Sequence, residues 1–225
     1  MFPRVKIIPD ERFNETIVKF YDKEQSIEID KCKCIGCGIC SRACPNQVIY
    51  SPPTDGKIRI NREDLIPSIP NPRDCSFCGT CAYICPTSAI WLKKNDIYVK
   101  RKDFAIRTKK IVPKLEYDTI ELENPKTEAK VYMTGNIEVD WDKCISCLSC
   151  VNVCPSECFT KEKTENQTAK KKVKPTYNGK NCIKCGSCVR SCSQGAIWLK
   201  IDDIKHSGEY KEIFWKPLIS RLKNI

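Results

Sequence analysis

The sequence predicts an α+β chain built as two tandem copies of one small module, joined by a β-rich connector. Three observations carry that expectation. First, four runs of cysteines share the spacing C-x-x-C-x-x-C-x-x-x-C: Cys34, Cys37, Cys40 and Cys44; Cys75, Cys78, Cys81 and Cys85; Cys144, Cys147, Cys150 and Cys154; Cys182, Cys185, Cys188 and Cys192. Second, the approach I-E-I-D-K-C-K-C from Ile27 to Cys34 is matched by I-E-V-D-W-D-K-C from Ile137 to Cys144, and the exit C-P-T-S-A-I-W-L-K from Cys85 by C-S-Q-G-A-I-W-L-K from Cys192. The chain is an internal duplication with two runs per copy. Third, from Asp96 to Glu138 short apolar runs alternate with charged residues and prolines, the pattern of short strands and turns.

The spacing within each run is ligand geometry. Three thiolates on a tight loop can each reach a different iron of one 4Fe-4S cube, while the fourth, carried off on the next turn, points toward a second cube. Pro45, Pro86 and Pro155 follow the fourth cysteine in three runs and Ser193 in the last, so only that final turn lacks the fixed φ of proline. Zinc, which takes four ligands in a closed tetrahedron from two separated knuckles, suits a third cysteine two residues further on poorly. A disulfide framework needs an oxidising compartment, and the N-terminal MFPRVKIIPDERF has no apolar signal run.

The four runs resemble the motifs of bacterial-type two-cluster ferredoxins, and four in one chain look like a polyferredoxin. The resemblance covers roughly residues 27 to 93 and 137 to 200. It implies two tandem ferredoxin-type modules, each holding two 4Fe-4S clusters, and thus four clusters in all. It also implies crossed ligation, in which the fourth cysteine of each run serves the other run's cluster. Carried over by position, the sets are Cys34, Cys37, Cys40 and Cys85; Cys75, Cys78, Cys81 and Cys44; Cys144, Cys147, Cys150 and Cys192; and Cys182, Cys185, Cys188 and Cys154. Polyferredoxins of this kind look like the electron-transfer subunits of anaerobic archaeal complexes such as formylmethanofuran dehydrogenases and energy-converting hydrogenases. Iron-sulfur subunits of molybdopterin oxidoreductases, or a free soluble ferredoxin carrier, are the alternatives.

The bounds of the whole chain agree. No stretch of the 225 residues approaches the roughly 20 apolar residues of a membrane span, so a cytoplasmic protein is expected. With 41% hydrophobic residues, two compact modules would have thin cores, and the clusters must serve as core. The formal charge of +11 leaves the clusters out. An oxidised cluster with four thiolates adds about −2, so four bring the total to about +3. The basic residues therefore read as counter-charge before they read as a nucleic-acid face, and no aromatic-basic RNA-binding pattern accompanies them.

In order, residues 1–26 form an N-terminal extension, packed over the first module or against a partner; 27–95 are the first module, 96–136 the connector, 137–201 the second module and 202–225 a tail. Cys32 aligns with Asp142 and reads as a spare thiol, and Cys158 reads as a small packing residue where other runs have Ala89 and Ala196. Val48 to Ile60 carries a hairpin signal around Pro-Pro and Asp-Gly. Lys161 to Lys180 reads as a solvated lysine-rich loop, with docking of an acidic partner as the sharper alternative. Asn166-Gln167-Thr168 matches a glycosylation acceptor that a cytoplasmic chain would not present. In the tail Pro217 is placed at a helix start, with Leu218, Ile219, Leu222 and Ile225 on one face, covered by this chain or by a partner. Trp91 and Trp198 read as packing residues rather than electron relays.

One histidine, His206, stands alone, and there is no phosphate loop, dinucleotide fingerprint or nucleophile-base constellation. Cysteine-ligated clusters exchange single electrons and leave no iron open. The expectation is thus an electron carrier without a catalytic residue or small-molecule substrate, whose partners are redox proteins and not nucleic acid.

Overall fold

The computed structural model describes residues 3–52, 59–161 and 173–224. Three N-terminal strands, β1 (Arg4–Pro9), β2 (Phe13–Lys19) and β3 (Glu24–Asp30), pair antiparallel in succession. Thus residues 4–19 extend the sheet of the first half. The segment leading to Cys34 is β3, and despite its alternating sequence it does not alternate in burial: Ser26, Ile27, Glu28, Ile29 and Asp30 are all buried. Ile27 and Ile29 join the core, while Glu28 is covered by Lys93 at 2.9 Å and by the Tyr98 hydroxyl at 3.1 Å.

Helices α1 (Ile39–Ala43) and α2 (Thr80–Ile84) follow the loops of the first two runs and pack on each other. The A-I-W-L-K segment becomes β4 (Ile90–Lys94), paired with β3, and β5 (Ile97–Tyr98) completes a five-stranded sheet ordered β1-β2-β3-β4-β5. The turn expected between Val48 and Ile60 lies outside the described residues; within them, Tyr50 bridges to Ser68.

The connecting region holds α3 (Ala105–Thr108), β6 (Lys114–Leu115), a hairpin of β7 (Asp118–Glu123) and β8 (Lys126–Val131), and β9 (Met133–Val139). It wraps the first half instead of spacing it from the second. The Lys130 N–H donates to the Pro86 carbonyl at 2.9 Å, and the buried Tyr132 hydroxyl donates to the Ile84 carbonyl. Then β9 enters the second half and pairs with its A-I-W-L-K strand.

That half repeats the first: α4 (Ser149–Val153), a short pair of β10 (Phe159–Thr160) and β11 (Thr176–Tyr177), α5 (Ser187–Ser191), and β12 (Ile197–Ile204) against β9. The lysine-rich loop and its Asn166 acceptor fall largely outside the described residues. Finally β13 (His206–Ser207) pairs with β6, and α6 (Glu212–Lys223) packs on α1 and β12. The helix begins five residues before Pro217. Trp215 anchors that extra turn, buried beside His206 and Tyr210 at ring distances of 5.4 and 6.2 Å. Leu218 and Leu222 are buried with it, so the tail folds back onto this chain.

The halves touch directly, in one hydrophobic core running through both. The Ser187 hydroxyl, fully buried, donates to the Ile35 carbonyl at 3.0 Å, and Arg190 donates to the carbonyls of Gly36 and, at 3.2 Å, Pro52. In return the Ile60 N–H donates to the Ser149 hydroxyl at 2.9 Å. Each half closes part of the other.

Candidate iron-sulfur sites

Recurring local devices deliver the runs. Before the first and third, the strand leads into an aspartate whose carboxylate accepts backbone N–H groups: Asp30 accepts from Cys32 at 2.9 Å, and Asp140 accepts from Asp142 at 3.0 Å and Lys143 at 3.3 Å. This Asx turn bends the chain from strand into cysteine loop. The helix after the second cysteine starts from a residue of positive φ: Gly38 at 69°, Gly79 at 90° and Gly186 at 80°. The third run puts Leu148 there at 64°, a conformation that costs a side chain about 1–2 kcal/mol. A Cβ on Gly38 would stand 2.8 Å from the Arg190 guanidinium, so close approach adds a second reason for glycine at that position.

The fourth cysteine ends each helix in extended backbone. Cys44, Cys85 and Cys154, with ψ of 118°, 119° and 107°, precede proline, which favours that region. Cys192 reaches 99° without one. Its carbonyl accepts the Gly195 N–H at 3.1 Å, as those of Cys44, Cys85 and Cys154 accept from Gln47, Ser88 and Glu157 at 3.2, 3.2 and 3.3 Å. Serine for proline leaves the turn intact.

These devices gather the thiols in sets of four. Cys34, Cys37, Cys40 and Cys85 line one void of about 330 Å³, here site I. Cys44, Cys75, Cys78 and Cys81 form site II: burial pushes the Cys81 thiol well up, and the neighbouring Cys78, Cys75 and Cys44 add to it. Cys144, Cys147, Cys150 and Cys192 line site III, a void of about 420 Å³. Cys154, Cys182, Cys185 and Cys188 line site IV, about 320 Å³. Every set combines three cysteines of one run with the last cysteine of its partner run.

Neighbouring sites follow one another through the interior. Cys81 of site II is among the charges acting on Cys40 of site I, Cys37 of site I on Cys185 of site IV, and Cys150 of site III on Cys188 of site IV. The spatial order is II, I, IV, III. The outer members Cys75, Cys78, Cys144 and Cys147 are partly exposed, while Cys37, Cys40, Cys185 and Cys188 are buried.

The thiols are surrounded by donors. Thr80, Ser149 and Ser187, each just before the third cysteine of its run, place a hydroxyl 3.2, 3.5 and 3.4 Å from the sulfurs of Cys78, Cys147 and Cys185. The backbone N–H of Ala89, Cys158 and Ala196 donates to the sulfur of Cys85, Cys154 and Cys192 at 3.3, 3.2 and 3.2 Å. Burial still dominates most of the set: it pushes Cys34 and Cys75 up to about 11 and Cys37 and Cys150 to about 12. As free thiols these would hold their protons at neutral pH. Cys147 moves the other way, because hydrogen bonds from Ser149 and the Arg59 backbone outweigh its burial. Cys32 lies exposed on its turn, outside the four sets. Cys158, by contrast, lines the void of site IV. Its thiol, beside Cys154 and Cys182, lowers these two to about 7 and about 6. Cys158 occupies the place that Ala89 and Ala196 take beside sites I and III, as its alignment with them implies, whereas the hydroxyls could have been found by lining up the residue before the third cysteine of the last three runs.

Two observations bear on what fills the voids. Among the described residues, no three histidine, cysteine, aspartate or glutamate donors converge on a single metal ion, as a tetrahedral zinc site with bonds of about 2.3 Å would require. And Arg42, near Cys37, Cys40 and Cys185, has buried Nε and Nη2 atoms without a partner among the described residues. A buried guanidinium with unanswered N–H groups needs an anion beside it, and a thiolate-ligated 4Fe-4S cluster is one.

Repeated loop, helix and strand units around such four-thiol sites define the class of two-cluster iron-sulfur domains. The model of the 4Fe-4S dicluster domain matches residues 33–89 and 143–202, more than half of the chain, and the chain belongs to this family. Two such dicluster domains account for four 4Fe-4S clusters. Over 132 residues, 59% of this chain, it is 30% identical to the polyferredoxin protein MvhB of Methanothermus fervidus, covering 22% of that protein. Over 70 residues it is 34% identical to NADH-quinone oxidoreductase subunit I 2 of Geobacter metallireducens, 31% of this chain and 48% of that one. Over 135 residues it is 26% identical to a component of the Na(+)-translocating ferredoxin:NAD(+) oxidoreductase complex of Acetobacterium woodii, 56% of this chain and 36% of that one. The chain thus spans less than half of each of these relatives. A chain of the formate dehydrogenase, heterodisulfide reductase and formylmethanofuran dehydrogenase complex of Methanospirillum hungatei shares its fold at a TM-score of 0.75 and 20% identity, over 99% of this chain and 92% of that one. No helix among the described residues is long and apolar enough to cross a membrane.

Proposed function

We propose that the chain is a non-catalytic, polyferredoxin-type subunit that passes low-potential electrons between redox partners in a cytoplasmic anaerobic oxidoreductase complex. In this reading the two stretches matched as dicluster domains act as tandem ferredoxin-type modules. The four sets of thiols defined above are the ligands, with ligation crossed within each half. The observation that carries the reading is the grouping itself: three thiols of one run and the last of its partner around each site, with the sites following one another from partly exposed Cys78 to partly exposed Cys147.

When bound, each 4Fe-4S cluster takes up or gives back one electron. The protein supplies the rest. The Thr80 and Ser149 hydroxyls and the backbone N–H groups steady thiolate charge, and Ile35, Ile183 and the rest of the core exclude water from the inner sites. Likeness of fold to a chain of a three-enzyme assembly, and sequence likeness to subunits of redox complexes, support a place in such a complex.

The test has three parts. Anaerobically prepared protein should hold about 16 irons and 16 sulfides per chain; zinc in their place rejects the reading. Cys44→Ser and Cys75→Ser should perturb the same cluster; different clusters would mean that each run binds its own cube. Anaerobic purification from the source should bring down a catalytic redox partner, and a chain that emerges alone would favour a free carrier.

A further inference from the structure

The helices that carry the third cysteines of the four runs differ in charge at one position. Two residues after that cysteine, site I has Arg42 and site IV has Arg190, whereas site II has Tyr83 and site III has Asn152. By the duplication Arg42 corresponds to Asn152 and Arg190 to Tyr83, so each half carries one arginine, on the helix that faces the other half.

Both guanidinium groups are held at that interface. Arg190 is locked by the carbonyls of Gly36 and Pro52 and lies against Gly38. Among the described residues Arg42 reaches only the Cys37 carbonyl, at 3.5 Å, and keeps two buried nitrogens unanswered. Each cation disfavours the other, and among the described residues neither meets a carboxylate. Two like charges buried together are costly unless negative charge stands between them. The acceptors within reach are the thiolates of site I and site IV: Cys37, Cys40 and Cys185 all act on Arg42.

Resting on the ligand reading above, we propose that Arg42 and Arg190 form a positive junction that raises the reduction potentials of sites I and IV above those of sites II and III. Electrons entering at either outer site then settle at the interface between the halves. Burial acts against this, since an added electron is poorly solvated inside the protein. The guanidinium charges nevertheless act at close range in the same low-dielectric interior, where they outweigh the screened influence of solvent at the outer sites. The outer sites have neutral Tyr83 and Asn152 at the equivalent positions, and the Arg101 guanidinium, on which Cys85 of site I and Cys81 of site II both act, is shared between those two sites and does not separate them.

The experiment is a reductive titration of the anaerobic, cluster-loaded full chain followed by electron paramagnetic resonance. Arg42→Gln and Arg190→Gln should each weaken reduction of two of the four centres by about tenfold, about 59 mV for one electron, and leave the other two in place. Arg42→Lys, which keeps the charge, should leave all four within about threefold. Lys216→Gln, which removes an exposed positive charge, should move none. An equal shift of all four centres, or no shift, overturns the proposal. Should a glutamine variant lose iron, two outer-site variants decide: Cys78→Ser and Cys147→Ser should alter only centres that are reduced last, and a change in the centre reduced first overturns the junction. A wild-type chain without four clusters would instead fail at the ligand reading on which the junction rests.

Discussion

The two halves carry the same pair of runs and the same central strand pairing, β3 with β4 and β9 with β12, yet they meet solvent differently. In the first half, three more strands join that pair and give five. Its outer face is closed by Lys93, which reaches Glu28 at 2.9 Å and Glu15 at 3.1 Å. In the second half the pair stands, among the described residues, as a two-stranded sheet, and Trp141 and Trp198 are 37% and 44% exposed. Similar ligand loops therefore sit beside unequal sheets, while the outer site of each half keeps two thiols partly exposed, Cys75 and Cys78 at site II and Cys144 and Cys147 at site III.

The largest test of this contrast is removal of iron. Structural metal sites contribute on the order of 10 kcal/mol of folding free energy, and here the voids stand where a core would be. Chelation should unfold the second half completely, since its own sheet has two strands. The first half should keep slow-exchanging amides in β1, β2 and β3, where backbone pairing does not depend on thiols. Hydrogen exchange of the iron-free chain checks this, and equal loss of protection in β3 and β9 would break the contrast.

Next in size is Lys93→Met. It would strand Glu28, with a side chain 8% exposed, and Glu15 without their cation, and breaking a buried pair from one side costs about 3–5 kcal/mol. Burial opposes the Lys93 charge, but the hydrogen bonds that its ammonium donates to Glu28 and Glu15 outweigh burial and raise its pKa. A raised folded-state value means that this contribution is fully present below the ordinary lysine range. It is lost only as pH climbs through the folded value, so denaturation midpoints should be flat in this respect across neutral pH. The alkaline loss should vanish in the variant.

Smaller still is Ser187→Ala at the contact between halves. It removes the buried donor to the Ile35 carbonyl, and an unanswered buried carbonyl costs about 1–3 kcal/mol. Equilibrium unfolding should show that loss with iron content unchanged. A variant as stable as the parent would mean that the halves do not depend on this bond.

How much of this was legible in the sequence follows from where each signal lies. The thiols, the twin strands and the duplication could be read because ligand spacing and apolar alternation are local. The tail's burial was open because an apolar helix face does not say what covers it. Residues 4–19 gave no sign of joining the sheet: β1 is an edge strand with no buried residue, held by backbone bonds that leave no pattern in side chains. The interface was hidden for a related reason. Ser187 and Arg190 answer backbone carbonyls of residues 35, 36 and 52, and a carbonyl has no residue identity to match. Pro217 misplaced the start of α6 because Trp215 supports a turn ahead of it through contacts with His206 and Tyr210.

The twin tryptophans give the finest comparison, since sequence makes them equivalent and surroundings do not. Trp91 is half-buried, edge-on to Tyr98 at 5.8 Å and capped by the Arg101 guanidinium at 5.4 Å. Trp198 is 44% exposed and meets the flexible Lys143 ammonium at 5.0 Å. Trp91→Leu gives up an aromatic pair, a cation-π contact and apolar burial, each worth about 0.5–1.5 kcal/mol. Its cost should reach about 2 kcal/mol. Trp198→Leu loses one solvent-screened cation-π contact, so its cost should stay within about 0.5 kcal/mol, the range of ordinary surface substitutions. Both variants should keep their clusters and their electron-transfer rates, because neither ring lines a thiol void. Chemical denaturation of the two variants side by side measures the gap. Equal losses would mean that Trp198 is covered in solution, by a partner or by a second copy, while a fall in electron-transfer rate with iron intact would turn either ring from packing into relay.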